Sequence, residues 1–158
     1  MAETNVVIKK IEPQMVLSVR DVLPDFLAMK NLFGPLFSTA FKKFMRISGP
    51  PIVIYHDQFL RDRNFDVEAT VPVKAKPRQI GKFKVYELPE IKQAACLIYK
   101  GPYALIGRGH IELMDWIERN GYKPVSPCRE VYKKGQGIVF KGNPLEYITE
   151  IQQPVTKV

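Results

Sequence analysis

Two glutamates, Glu68 and Glu150, carry the chemistry that this sequence brings within reach. Each lies in a run of alternating character, and alternate side chains of a β-strand point to opposite faces. In the earlier run Phe65, Val67, Ala69 and Val71 share one face, and Asp66, Glu68 and Thr70 share the other. In the later run Tyr147, Thr149 and Ile151 share one face, and Ile148, Glu150 and Gln152 the other. The apolar face is expected against helices and the polar face in a groove. A carboxylate in an apolar groove is costly when ionised and unpaired, so it takes up a proton or recruits a cation. Aromatic walls add cation-π attraction of about 0.5 to 2 kcal/mol per contact. Tyr55 and Tyr132 are the candidate walls, with Tyr103 and Trp116 behind them. The expected site therefore takes an aromatic or cationic organic ligand, with Glu68 and Glu150 as its candidate anions.

Other reactive groups point to structure. His56 ends a strand and His110 lies on an apolar helix stripe, and with no third ligand at metal spacing both are expected to be structural. Phe37, Phe41 and Phe44 recur at helical spacing and are expected in the core. Gly135-Gln136-Gly137 lacks the helix that would make it a phosphate loop. No GxSxG, Cys/His pairing or HExxH run is present. Cys96 and Cys128 are far apart and outside any CxxC, so they are expected as reduced thiols. No metal or cofactor is expected.

The elements that must position these residues come in two rounds. Residues 6–11 and 15–20 are short apolar-rich runs around Glu12-Pro13-Gln14, a predicted hairpin. A helix is predicted over 35–47 and stopped by Gly49-Pro50-Pro51, followed by strands at 51–56 and 65–73. The second round has strands at 83–88 and 93–99 around Pro89-Glu90. Its helix is predicted over 103–120, with Ile106, His110, Leu113, Met114 and Ile117 on one stripe and Gly121 as C-cap. Strands at 129–133 and 146–154 close it. The segment 134–144 is expected as an exposed hairpin.

Residue matches support an internal duplication. Glu68, Pro72 and Val73 match Glu150, Pro154 and Val155 at an offset of 82 (68 to 150). Pro50 and Tyr55 match Pro127 and Tyr132 at 77 (55 to 132), and Gly49 is matched with Gly121 at 72 (49 to 121). The expected class is α+β, with repeats over about 6–76 and 82–158 forming one domain.

Composition agrees with one soluble domain. The 158 residues are 46% hydrophobic and 25% charged, near the average for globular domains. No apolar stretch approaches the ~20 residues of a membrane span and no leader is evident, so a cytoplasmic protein is expected. The net charge of +8 raises nucleic acid as a partner. The densest basic stretch, residues 74–84, lacks the interleaved aromatics of single-strand binders and is expected to be a solvated linker.

The order of these elements resembles the GyrI-like domain, found also as the effector-binding half of BmrR-type and some AraC-type regulators. The resemblance is carried by Lys100-Gly101-Pro102-Tyr103, Leu113-Met114-Asp115-Trp116-Ile117-Glu118 with Asn120-Gly121-Tyr122, Arg129-Glu130-Val131-Tyr132, and Glu150-Ile151-Gln152-Gln153-Pro154-Val155. It covers nearly the whole chain. It implies two βαββ units about a pseudo-two-fold axis, with eight antiparallel strands, two long helices and a central ligand groove. It also implies binding of bulky organic molecules, often lipophilic cations, near an acidic residue of the C-terminal strand, here Glu150. No second helical region supplies a DNA-reading helix-turn-helix, so a stand-alone form without a direct DNA reader is expected. Two rivals accompany multidrug-type binding. One is a hydrolase opening cyclopropane-containing alkylating compounds through Glu150 and Tyr132. The other is a protein-interaction module of the gyrase-inhibitor type, with a protein partner.

Overall fold

Among the described residues, the alternating runs and the two amphipathic stretches become eleven strands and two helices of 13 residues each. The computed structural model describes residues 5–57, 63–125, 127–135 and 142–158. The chain is α+β, and it divides into two compact units, one of Met1–Ile11 with Ile91–Val158, the other of Glu12–Glu90.

In the Glu12–Glu90 unit, β2 (Gln14–Leu23) leads through one 3-10 turn into α1 (Lys30–Lys42). The turn, Phe26–Met29, is capped by the Asp25 carboxylate, which accepts from the Ala28 N–H at 3.0 Å. There follow β3 (Arg46–Ile47), β4 (Ile52–Tyr55), β5 (Phe65–Lys74), β6 (Arg78–Ile80) and β7 (Phe83–Leu88). The strands pair antiparallel in the order β4, β5, β2, β7, β6, with β3 also on β5. Leu32, Leu36 and Ala40, four residues apart, are the buried stripe of α1.

The other unit holds β1 (Val6–Ile11), β8 (Ile91–Lys100), α2 (Gly107–Arg119), β9 (Tyr122–Pro124), β10 (Cys128–Lys134) and β11 (Ile148–Lys157). β1, β8, β11 and β10 pair antiparallel in that order, and β9 also pairs with β11. Leu113 and Ile117 of α2 pack on Ala95, Leu97, Ile151 and Val155. Each of these leucine, isoleucine and valine side chains contributes about 1.5 to 3 kcal/mol when fully buried.

Four expectations change. The runs at 6–11 and 15–20 are not partners in a hairpin, because β1 pairs with β8 whereas β2 pairs with β5 and β7. Turn signals in sequence mark a reversal without saying which strand the chain meets next. The eight expected strands are the eight long ones, and β3, β6 and β9 are short additions. Helix α1 starts five residues before Pro35 and ends before Phe44, with Pro35 inside it. Phe41 and Phe44 are exposed, so the aromatic spacing read as core is the outer face. Most of the segment expected as a hairpin at 134–144, with Gln136 and Gly137, lies outside the described residues.

The duplication is regular. β1 maps onto β7 (6 to 83), β2 onto β8 (14 to 91) and α1 onto α2 (30 to 107), all at an offset of 77. Tyr55 opposes Val67, and Tyr132 opposes Thr149. The offset is thus still 77 on the third long strand, β4 (55 to 132), and 82 on the fourth, β5 (67 to 149). The extra residues all fall between those last two strands.

Candidate functional site

Glu68 is 5% exposed and takes three hydrogen bonds within its unit. Ser18 Oγ donates to Oε2 at 2.5 Å, the Tyr86 hydroxyl donates to the same oxygen, and His56 Nε2 lies 2.8 Å from Oε1. Burial pushes this carboxyl up, but the bonds from His56, Ser18 and Tyr86 outweigh it and hold Glu68 down at about 2.

Glu150, 4% exposed, is built alike. Gln152 Nε2 donates to Oε1 at 2.5 Å, Lys9 Nζ to Oε2 at 2.9 Å, and Lys133 Nζ lies 3.5 Å away. Burial pushes Glu150 up, and Gln152, Lys9 and the Lys133 charge more than reverse it. Lys9 and Tyr86 occupy the same place in the two copies (9 to 86), on β1 and β7. Each glutamate is thus reached from the strand two places away in its sheet, β7 for Glu68 and β1 for Glu150, and Glu150 receives its positive charges from the chain itself.

The tyrosines lie elsewhere. Tyr132 opposes Thr149 and Glu130 opposes Ile151, so both share the face that Ile151 turns to α2, whereas Glu150 is on the other. The expected pair of Glu150 with Tyr132 is therefore not formed. Tyr132 instead donates its hydroxyl to Oε1 of Glu130 at 2.7 Å. His110 on α2 places Nε2 2.6 Å from Oε2 of Glu130, a spacing at which an imidazole N–H donates to a carboxylate. Tyr103, 37% exposed, meets the Tyr132 ring edge-on at 5.4 Å between centroids. It also tilts against buried Tyr147 at 4.9 Å and 33°. A Cβ on Gly135 would collide with the Tyr103 hydroxyl, so the glycine lets the chain pass that ring.

The duplicate shows what was added. Phe26 and Phe65 stack at 4.5 Å and 31°, and by the offsets of 77 and 82 they are the counterparts of Tyr103 (26 to 103) and Tyr147 (65 to 147). By the offset of 77, Val53 stands for Glu130 (53 to 130) and Phe33 for His110 (33 to 110). Tyr55 and Tyr132 are common to both copies. Around them one copy has Phe26, Phe33, Val53 and Phe65, and the other has Tyr103, His110, Glu130 and Tyr147, which adds a carboxylate, an imidazole and two phenols.

Of the expected residues in this unit, Tyr103 and Tyr132 come together, and Glu150 lies on the opposite face of its strand. Trp116 flanks the core cluster and stacks on Tyr122 at 6.1 Å. Glu130, His110 and Tyr147 were missed as site residues. A signal existed, since Glu130 and Tyr132 are two apart on one strand and His110 interrupts an apolar stripe. Burial pushes the Cys96 thiol up to about 12 and Cys128 higher still, so both remain protonated and poorly nucleophilic.

Among the described residues, no helix is long and apolar enough to cross a membrane. No family model and no curated protein matches the sequence. Solved structures do. The EcmrR C-terminal domain is 32% identical, with a TM-score of 0.88 over 98% of this chain and 99% of that one. In a complex of EcmrR with DNA the TM-score is 0.87, and this chain spans 58% of the EcmrR chain. A hydrolase of Listeria innocua encoded by lin2189 is 12% identical, with a TM-score of 0.65 over 98% of this chain and 93% of that one. SAV2435 bound to tetraphenylphosphonium is also 12% identical, with a TM-score of 0.59 over 96% of this chain and 94% of that one. At that identity the last two show a shared fold. The close match to the EcmrR domain over both full lengths, on the frame and motifs described, places this chain in the family of GyrI-like effector-binding domains.

Proposed function

We propose that the domain binds lipophilic organic cations with aromatic substituents, and that Glu130 within Tyr103, Tyr132 and Tyr147 is the recognition site. The observation that carries this reading is the carboxylate of Glu130, 3% exposed, set in an aromatic layer whose duplicate has Val53 at the same place. A buried negative charge beside phenol rings offers a delocalised cation both Coulombic and cation-π attraction, and such a cation loses little hydration on entry. Two ammonium groups already sit on Glu150, Lys9 at 2.9 Å and Lys133 at 3.5 Å, whereas Glu130 lies against an imidazole and phenol rings. That contrast moves the anionic role from Glu150 to Glu130. The tetraphenylphosphonium held by SAV2435 on the same fold supports the ligand class, and EcmrR supports an effector role alongside a DNA reader.

The test is calorimetric titration with tetraphenylphosphonium. Wild type should bind in the micromolar range, about −8 kcal/mol. Glu130→Gln should weaken binding at least about tenfold, as expected for loss of a charged partner, and Glu150→Gln should change it less than about twofold. Equal affinity of wild type and Glu130→Gln would remove the assignment. The reverse ranking of the two variants would return the role to Glu150.

A second reading, hydrolysis of strained-ring alkylating compounds, is favoured by the Tyr132 hydroxyl on Glu130, since a carboxylate and a phenol in contact form an acid-base pair. The hydrolase of Listeria innocua shares the fold. Mass spectrometry should then find ring-opened product with wild type and none with Glu130→Gln. Stoichiometric binding without product would leave the binding reading alone.

A further inference from the structure

The C-terminal end of α1 contradicts local backbone preference. The Met45 N–H bonds the Ala40 carbonyl at 2.9 Å and the Phe44 N–H bonds the Phe41 carbonyl at 3.1 Å, which is a Schellman closure with Phe44 in the left-handed position. Phe44 has φ of 56° there, in the region that favours glycine and penalises bulky side chains. Its counterpart at the end of α2 is Gly121, with φ of 79° (44 to 121). One copy of the repeat follows the rule and the other places a phenylalanine where the rule asks for none.

That phenylalanine packs on little. Phe44 is 96% exposed and Phe41, one turn earlier, 84%. Exposed Ile47 follows on β3. Around them stand Lys42, Lys43 and Arg46, all exposed, and exposed Lys74, which is register partner of Arg46. From Phe26 to His56 the sequence contains no acidic residue. A strained, solvent-facing aromatic that contributes nothing to the core marks a site kept for something outside the fold.

We propose that this corner is a peripheral contact site for an anionic lipid bilayer. Cations of one sign around two aromatic side chains on a helix-end turn suit a negatively charged interface, where lysine and arginine meet headgroups and phenylalanine enters the acyl boundary. A bilayer demands no shape complement, and a turn that presents side chains outward offers none.

The test is co-sedimentation of the full chain with phosphatidylcholine vesicles and with vesicles containing 30% phosphatidylglycerol. Wild type should partition onto the anionic vesicles, weaken with rising salt, and ignore the neutral ones. Phe44→Gly should keep or raise the melting temperature and yet lower partitioning at least about fivefold, with Phe41→Ser/Phe44→Ser lower again. Lys42→Glu/Lys43→Glu should reduce it about tenfold or more. Absence of wild-type binding to anionic vesicles overturns the proposal. So does equal binding by folded Phe44→Gly, and so does self-association abolished by Phe44→Gly without vesicle binding, which would make the corner a protein contact.

Discussion

Glu130 and Val53 hold the same position in two copies of one frame, Glu130 opposite Ile151 and Val53 opposite Ala69. The neighbouring helix position changes with them, from Phe33 to His110 (33 to 110). The polar cluster is therefore a coupled exchange in a layer whose duplicate is built without it.

Copying the apolar unit tests this coupling. Glu130→Val should destabilise the fold by about 1 to 3 kcal/mol, because it strips buried His110 of its acceptor. Adding His110→Phe should restore most of that loss, as seen when a buried polar pair is replaced whole. Urea midpoints of the single and double variants measure it, and both should lose cation binding.

The rings, more than the hydroxyls, should set affinity at Tyr103. Tyr103→Leu removes the surface shared with Tyr132 and Tyr147 and is expected to weaken tetraphenylphosphonium about 3- to 30-fold, matching roughly 0.5 to 2 kcal/mol. Tyr103→Phe should stay within about twofold of wild type. Fluorescence competition with a cationic dye compares them.

Acid stability should report Glu68. Its folded value, about 2, lies below the ordinary 4.5, so the folded state gains stability wherever the unfolded carboxyl is ionised and the folded one remains so. That gain is full above about 4.5 and disappears as pH falls towards 2. Glu68→Gln should flatten the dependence of unfolding free energy on pH in this window, measured by denaturant melts from pH 2 to 6.

The two helix ends should respond in opposite directions. Phe44→Gly is expected to stabilise by up to about 1 kcal/mol, relief of left-handed strain being partly offset by the entropy of glycine in the unfolded chain. Gly121→Ala should cost about 1 kcal/mol. Thermal melts of the pair check the assignment of Phe44 as the counterpart of Gly121.

Local signals in the sequence carried far. Strand parity and residue type were enough to pair Tyr55 with Tyr132 and Glu68 with Glu150, and the register confirms both offsets, 77 and 82. The match of Gly49 with Gly121 fails because a glycine was sought at both helix ends, and one end closes on Phe44. The reading of α1 failed for a related reason: aromatic spacing looks alike on either side of a helix, and Leu32, Leu36 and Ala40 took the core.

The sequence by itself determined the α+β class and the duplication, since these follow from patterns within a few residues. Tertiary structure decided what meets each charge. Lys9 reaches Glu150 across 141 positions because β1 pairs with β8 rather than with β2. His110 meets Glu130 because α2 packs on the face that Ile151 presents. Alternation along a strand tells which residues share a face, but the pairing of strands and the docking of a helix decide which face holds a charge ready for a ligand.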